Sequence, residues 1–414
     1  MRLKPTALST LVLSALLAFP VQASSLKQIL QHAMSHAPEV LEARANVESS
    51  QNRTEQAKSG HWPTVSLTAS QRFSQYHKDR SDYATKHLVP GVKGEINLFA
   101  FGAIEKDIER ARQEEQYYKD KVIATREDLA YTVGSLYLRA LNMKEAIDVM
   151  KRSLKRHHGI MGNLTAIVES DTGRQSELVQ GEARMLRVEQ DINSYHKQLL
   201  STLNTLSKYT KAQVTENDLS NPFNNLSDKE LFAKYTLQDK LQNPTYRAQM
   251  SELQAKRLSV ESESKKQLPK INLVGSATRE DRYVGMEVSW DLLNRGTDYT
   301  VRERASDMAA SQQRLDQTSR DIEETSRLAL INIQESRTQL KTLNSQIKAS
   351  AKVVDYYKMQ FDIARRSLLD VLNSEQELAS VELAYATTNH DLRQSVLDYL
   401  YAQGAISKWG NVKE

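Results

Sequence analysis

The feature that most constrains the fold is the spacing of the prolines. No proline lies between Pro90 and Pro222 or after Pro269, which leaves proline-free runs of 131 and 145 residues. Glycine is also scarce, at 14 of 414 residues. Because proline and glycine end helices and form turns, a compact α/β domain would normally need more of both. The composition therefore excludes a glycine-rich nucleotide-binding fold and favours very long helices.

Charge and cysteine content exclude several function classes. The 56 Lys and Arg nearly balance 52 Asp and Glu, without a long block of one sign, so nucleic acid is not an expected partner. The absence of cysteine excludes thiol chemistry, disulfides and cysteine-ligated metals. His32 and His36 are four residues apart on a predicted helix, but no third ligand accompanies them, which favours a surface pair over a metal site. We expect no enzyme activity, cofactor or metal.

The N-terminus has the parts of a secretory signal peptide. Arg2 and Lys4 precede an apolar stretch from Ala7 to Phe19, and a small residue, Ala23, ends the segment. We predict a signal peptide over residues 1–23. An uncleaved anchor is the alternative, but the apolar stretch is shorter than the ~20 residues that a bilayer span needs. No later segment is apolar for that length, so a mature chain could enter a membrane only through β-strands.

The rest of the chain is an internal duplication. Pro38 and Pro63 correspond to Pro244 and Pro269 at an offset of 206 residues, and residues 97–102 correspond to 291–296 at an offset of 194. The second copy therefore has a shorter loop between its strands. The predicted organisation is a first repeat at 24–209, a polar connector at 210–232, a second repeat at 233–404 and a C-terminal tail at 405–414.

Each repeat contains two segments in which apolar and polar residues alternate. The predicted strands lie at about 63–74, 88–99, 270–279 and 282–293. One apolar face and one polar face are typical of transmembrane β-barrel strands, and a soluble packing of two sheets is the alternative. Aromatic residues near the strand ends, where membrane interfaces would lie, favour the barrel. They are Trp62, Phe73, Tyr76, Phe99, Tyr283 and Trp290.

Four strands are too few to close a barrel, since bacterial barrels begin at about eight strands. Two chains would supply eight strands around a filled interior, whereas three chains would supply twelve around a water-filled lumen. The polar side of the strands supplies the candidate lumen-facing residues. These are Lys93, Glu95, Glu287 and Asp291.

Apolar residues at heptad spacing predict long coiled-coil hairpins in both repeats. The first hairpin rises from 103 to 165, breaks at Gly173 to Ser176 and returns to about 208. The second rises from 297 to 362, turns at 365–367 and returns to about 403. The predicted fold class is mainly α with a membrane β-barrel: an internally duplicated chain with long coiled-coil α-helical hairpins and four transmembrane β-strands.

Several segments resemble the TolC-like outer-membrane efflux and secretion family. They are the opening Ser25 to Leu30, the strand entries Trp62-Pro63 and Leu268-Pro269, the strand exits at 98–102 and 292–296, and the hairpin tip Ser367 to Asn373. The resemblance implies a homotrimer with a 12-stranded barrel in the outer membrane of a Gram-negative bacterium and a helical tunnel in the periplasm. It also implies a passive duct that docks with a periplasmic adaptor and an inner-membrane transporter.

The same resemblance assigns roles to the hairpin tips. In that family, acidic residues at the tip of the second hairpin form a ring around the periplasmic entrance. Asp370 matches one of these positions, whereas Asn373 replaces a second acid. The alternative is that Asp370 is an ordinary turn residue. Gly173, Arg174, Arg366 and Ser367 are the candidate partner-docking residues. The stretch 365–370 resembles the branch that serves type I protein secretion with an ABC-type transporter. There are two alternatives. One is a drug-efflux duct, and the other is a periplasmic adaptor or coiled-coil scaffold that forms no pore.

Overall fold

The computed structural model describes residues 25–71, 73, 88–170, 172–210 and 214–412. The predicted signal peptide at 1–23 and Tyr76 lie outside the described residues. The helices are α1 (Leu26–His36), α2 (Pro38–Lys58), α3 (Ala103–Ser170), α4 (Gln175–Leu206), α5 (Asp228–Tyr235), α6 (Pro244–Lys265), α7 (Arg295–Asp362), α8 (Leu368–Ala402) and α9 (Ile406–Trp409). The strands are β1 (Thr64–Ser70), β2 (Val89–Phe99), β3 (Lys270–Thr278) and β4 (Arg282–Ser289).

The same order of elements occurs twice. A helix of 21 or 22 residues, α2 or α6, leads into two strands, and a long helical hairpin follows them. Each leading helix begins at a proline, Pro38 or Pro244, whose ring fixes φ for the first turn and whose missing N–H costs nothing there. At α6 the side chain of Asn243 also accepts hydrogen bonds from the backbone N–H groups of Thr245 and Tyr246.

The four strands form one antiparallel sheet in the order β1-β2-β3-β4. Its central pair, β2 and β3, comes from different repeats and places Gly94 opposite Gly275. The predicted fourth strand was too long: β4 ends at Ser289, not at 293. Ser289 pairs with Lys270, the first residue of β3, and Pro269 before it has no N–H to donate, so the ladder stops there.

The helical hairpins dominate the molecule. α3 and α7 have 68 residues each, about 100 Å at ~1.5 Å per residue. The helices lie side by side in the order α4-α3-α8-α7, with α2 and α6 packed against the part of α3 next to the sheet. α3 extends to Ser170, beyond the predicted end at 165, and a single 3₁₀ turn, Thr172–Arg174, leads into α4.

The main core lies where α1, α5 and α9 pack on the hairpins. Val133, Ala140 and Ile147 on α3 are buried at the heptad spacing that the sequence shows, as are Val371 and Tyr399 on α8. A second, smaller cluster lies at the hairpin tips. Its buried members are Ile160, Met161, Leu164, Val168, Phe361, Leu368, Val371 and Leu372.

The segment predicted as a polar connector, 210–232, belongs in part to this core. Leu219, Phe223 and Leu231 are buried in the main cluster, and the Phe223 ring packs on Trp409 with their centroids 5.0 Å apart. α5 begins inside the segment, at Asp228. The polar composition of this segment hid its contribution to the core, because the apolar residues that pack there are isolated among Asn, Ser and Asp.

A buried ion-pair network joins the two hairpins. The Arg156 Nε on α3 donates to Glu375 Oε2 on α8 at 2.6 Å, and its Nη2 donates to Glu382 Oε2 at 3.1 Å. Glu375 is only 1% exposed. Burial acts to lower the pKa of Arg156, but the bonds to Glu375 and Glu382 outweigh it and raise that pKa. Each charge is therefore compensated across the interface between α3 and α8.

Glu375→Gln should lower the thermal unfolding midpoint of the purified protein. The substitution keeps the shape of the side chain but removes its charge, and a lost bond to a charged group costs about 2 kcal/mol. Glu377→Gln, at an exposed position on the same helix, is the matched control and should leave the midpoint unchanged. Equal midpoints for both variants would show that the network does not stabilise the hairpins.

Candidate functional site

The sheet has one polar face on which the side chains form a connected row. Lys93 Nζ lies 3.3 Å from Glu95 Oε2. The Asn272 Nδ2 donates to Glu95 Oε1 at 2.9 Å, and the Asn97 Nδ2 donates to Asn272 Oδ1 at 2.8 Å. The row crosses from β2 to β3 and so holds the two repeats together through side chains as well as backbone.

The opposite face of the sheet is apolar and uncovered within the chain. Leu67 is 87% exposed, Val284 77% and Met286 75%. The register brings most apolar residues of the four strands to this one face, as the alternation predicts, whereas Val274 lies opposite Glu95 on the polar face. Such a large exposed apolar surface marks an interaction with lipid or with another protein.

The polar face continues onto the helices. A hollow of about 970 Å³ begins at Glu95 and Asn97 and runs between α2, the start of α3 and the end of α6. A second hollow of about 400 Å³ shares Arg53, Arg110 and Lys266 with the first. We call this continuous surface, from the polar sheet face along both hollows, the polar wall.

Most charges of the polar wall are paired. The Arg110 Nε donates to Asp107 Oδ1 at 2.9 Å, and its Nη1 donates to Glu114 Oε1 at 2.7 Å. Burial acts to lower the pKa of Arg110, but these two carboxylates outweigh it and raise that pKa. Lys266 similarly lies 2.7 Å from Glu263. The wall is therefore hydrophilic without a strong excess of one charge.

The predicted lumen-facing residues have different positions on this wall. Lys93, Glu95 and Glu287 lie on the polar face by register. Asp291 lies beyond the end of β4, because the strand stops at Ser289. The sheet therefore does not set the direction of Asp291, and its role stays a prediction.

At the other end of the molecule, the tip of the second hairpin is organised by Ser367. The Ser367 Oγ accepts from the Asp370 backbone N–H at 3.2 Å and donates to Asp370 Oδ2 at 2.9 Å. The Arg366 Nη1 lies 3.7 Å from the same carboxylate oxygen, and its guanidinium stacks 4.2 Å from the centre of the Tyr357 ring. Asp370 thus takes part in capping α8, while Asn373, one turn later, is exposed.

Arg174 connects the two tips. Its guanidinium donates to both oxygens of Glu177, at 3.3 and 2.8 Å, and lies 4.9 Å from the centre of the Phe361 ring on α7. Gly173 precedes it in the 3₁₀ turn. The structure therefore brings Gly173, Arg174, Arg366, Ser367 and Asp370 to one end, far from the sheet.

Comparison with known families decides the identity. The family model described as outer membrane efflux protein matches the chain twice, at residues 29–210 and 238–401. The chain belongs to the outer membrane efflux protein family. Members of this family are passive transport ducts, so the expectation of no enzyme activity is confirmed, and the protein is an outer-membrane protein that extends into the periplasm. A search of the curated proteins gave no match.

Solved structures share the fold of this outer membrane efflux protein. The outer-membrane channel OprN has a TM-score of 0.79 and 16% identity over 92% of this chain and 89% of its own. CmeC of Campylobacter jejuni has a TM-score of 0.76 and 15% identity over 92% and 85%. The open state of MtrE of Neisseria gonorrhoeae has a TM-score of 0.73 and 16% identity over 92% and 88%. At these identities the likeness concerns the fold.

Sequence reasoning missed some polar residues inside this efflux protein. His157 is buried within α3, with its Nδ1 2.9 Å from the Ser153 carbonyl oxygen. His32 and His36 form a stacked pair with ring centroids 4.6 Å apart. Across the part of the chain that the structure describes, no three His, Cys, Asp or Glu side chains form a metal site. No helix in these ranges is both long and apolar enough to cross a membrane.

A polar cluster between α3 and α8 was also missed. Tyr131 and Gln394 donate to Asp398 Oδ1 at 3.0 and 2.8 Å, and burial raises the pKa of Asp398 despite these bonds. The four-residue spacing of Gln394 and Asp398, which puts them on one face of a helix, was the available signal.

The raised pKa of Asp398 predicts a pH-dependent stability. Above the ordinary carboxyl pKa and below the raised one, the folded state binds a proton that the unfolded state does not, so stability falls as pH rises through this window. Asp398→Asn keeps an acceptor for Tyr131 and Gln394 but removes the titration. The melting midpoint of the wild type should therefore fall relative to that of the variant as the pH rises above about 4, the ordinary carboxyl pKa. A constant difference between the two midpoints as the pH rises would contradict the raised pKa of Asp398.

Proposed function

We propose that this protein is the passive exit duct of a tripartite export system. In this proposal three chains form a 12-stranded barrel in the outer membrane, and their hairpins form a tunnel across the periplasm. The proposal rests on one observation: the polar wall is continuous from the sheet onto the helices, and the opposite face of the same sheet is apolar. A closed ring of such chains would place the apolar face against lipid and the wall around water.

The free edges of the chain support a ring. β1 and β4 are the edges of the sheet, and α4 and α7 are the edges of the helical layer, so each chain offers two different edges. Unlike edges associate head to tail and close by rotation. Exposed apolar side chains mark both helical edges, among them Leu186 at 60% on α4 and Tyr356 at 59% on α7. Four strands per chain make twelve in a trimer, enough for a water-filled lumen.

The hairpin tips are the proposed docking site for partners. Family members form trimeric channels that work with a periplasmic adaptor and an inner-membrane transporter. We assign that contact to Gly173, Arg174, Arg366 and Ser367 because they lie together at the end remote from the sheet. A partner there would supply the energy that a passive duct lacks.

Two cargo classes fit such a duct. The residues at 365–370 favour type I secretion with an ABC-type transporter, whereas the matched family is described by efflux, which favours small molecules. A deletion strain separates the two. Loss of a surface protein from the medium would support secretion, and increased drug sensitivity with normal secretion would support efflux.

The purified protein should have the mass of three chains and form channels in planar bilayers. The polar wall predicts an ohmic, water-filled path once the twelve strands close. Recovery from the soluble periplasmic fraction as a monomer without conductance would contradict the duct and support the scaffold alternative.

Asp370→Asn should weaken block of the channel by trivalent cations added from the hairpin side. Three copies of Asp370 would bring like charges together at a narrow entrance, where they attract cations. Asn keeps an oxygen acceptor for the Ser367 hydroxyl, so the cap is preserved while the charge is lost. Asn373→Asp is the converse test and should strengthen the block. Unchanged block in both variants would leave Asp370 as a capping residue only.

A further inference from the structure

The apolar face of the sheet contains a groove that the duct does not require. It has a volume of about 590 Å³ and lies over β2, β3 and the start of β4. Sites for small molecules commonly have about 300–1,000 Å³. The floor consists of Gly94 and Gly275, which are direct cross-strand partners. Val65 and Val284 continue the same row on the outer strands, so two glycines lie between two valines.

Neither glycine is required by the chain itself. Among the described glycines only Gly102 and Gly404 have positive φ. A Cβ on Gly275 would meet Val284 Cγ2 at 3.7 Å, and one on Gly94 would meet the Thr64 carbonyl oxygen at 4.0 Å, both ordinary contacts. Glycine inside a strand weakens the strand and often marks a bulge, a tight bend at a barrel corner, or a place where a ligand or another backbone approaches closely. Larger side chains would therefore fit at both glycine positions, and their absence leaves the groove open.

The walls and one end of the groove differ in chemistry. Val92, Ile96 and Leu273 line its length. Arg282, the first residue of β4, lines its end; it pairs with Ala277 and shares the face of Val284. Arg282 has no salt bridge to any residue that the structure describes, although the adjoining turn contains Glu280 and Asp281. An apolar groove that ends at an arginine is complementary to an acyl chain with a phosphate at its head.

The position of Arg282 identifies the leaflet. The helices extend from one end of the sheet into the periplasm, and Arg282 follows the β3–β4 turn at the other end. If the apolar face lies in the membrane, as the proposed function requires, Arg282 is at the level of the outer headgroups. The outer leaflet of this membrane contains lipopolysaccharide, whose lipid A carries acyl chains and phosphates.

We propose that the groove over Gly94 and Gly275 binds one acyl chain of lipid A, with Arg282 at a lipid A phosphate. The site lies on the two central strands, so ring closure through β1 and β4 leaves it open to lipid. Since lipid tails surround the whole apolar face, the preference comes from fit to the groove and from the charge at its end.

Native mass spectrometry of the detergent-solubilised trimer, titrated with lipid A and with phosphatidylglycerol, tests the site. Wild type should retain lipid A in preference to phosphatidylglycerol. Gly275→Val should reduce lipid A adducts at least tenfold, because the side chain fills the groove and valine is favoured in strands. Gly285→Val is the matched control: Gly285 lies on the opposite face with no atom within 4 Å of an added Cβ, and its adducts should equal those of the wild type.

Arg282→Gln separates the headgroup from the chain. It should weaken binding of lipid A but leave binding of dephosphorylated lipid A unchanged. Trimer mass and conductance, measured on the same samples, report on the duct independently of the lipid. Two results with intact, conducting trimers would overturn the lipid site alone. One is that Gly275→Val retains as many lipid A adducts as the wild type. The other is that the wild type binds lipid A and phosphatidylglycerol equally. A wild-type chain that neither trimerises nor inserts would overturn the duct and the site together.

Discussion

The pairing of β2 with β3 is the contact on which the rest of the molecule depends. These strands come from different repeats, about 175 residues apart in the chain, and their register places Gly94 opposite Gly275 and Asn97 opposite Asn272. Because side chains alternate along a strand, a shift of one residue would turn the apolar residues of one repeat toward the polar face of the other. The Asn97–Asn272–Glu95 row favours the observed register, since any other would break two of its hydrogen bonds.

That register also determines where the hairpins lie. α3 follows β2 and α6 precedes β3, so antiparallel pairing of the strands brings the two helices together. From there α3 lies between α4 and α8 along the hairpins, and charged residues repeatedly connect it to its neighbours. Arg247 on α6 lies 2.6 Å from Asp120 on α3, and Arg393 on α8 donates two 2.8 Å bonds to Glu145. We infer that these ion pairs help to select the pairing of helices whose apolar seams are narrow and repetitive.

The sequence predicted local structure well because its signals are local. Pro38 and Pro244 mark helix starts, heptad spacing marks the seam through Val133 and Ile147, and alternation marks the strand faces. The end of β4 was mispredicted because it depends on Pro269, immediately before the partner strand β3. The burial of Phe223 was missed because it depends on Trp409, which is distant in the chain. The polar wall was predicted only in its strand part. Its helical part contains Arg53, Arg110 and Lys266, which lie on α2, on α3 and directly after the end of α6. The sequence does not show that the packing of these helices brings the three side chains together.

The two ends of the molecule are held by different kinds of contact, and this bears on how a duct of this design would open. At the sheet end, backbone ladders and the Glu95–Asn272 row join every strand to the next, so movement there would break many bonds at once. At the tip, the partly exposed contacts of Arg174 and Arg366 surround a small cluster that contains Phe361 and Leu368. Ala364, two residues after the end of α7, has a φ of +58°, a conformation that non-glycine residues seldom adopt. Local opening is easiest where buried contacts are few. If the protein is the duct proposed above, a rearrangement of the hairpin ends around Arg174, Arg366 and Asp370 would break fewer contacts than a rearrangement of the sheet.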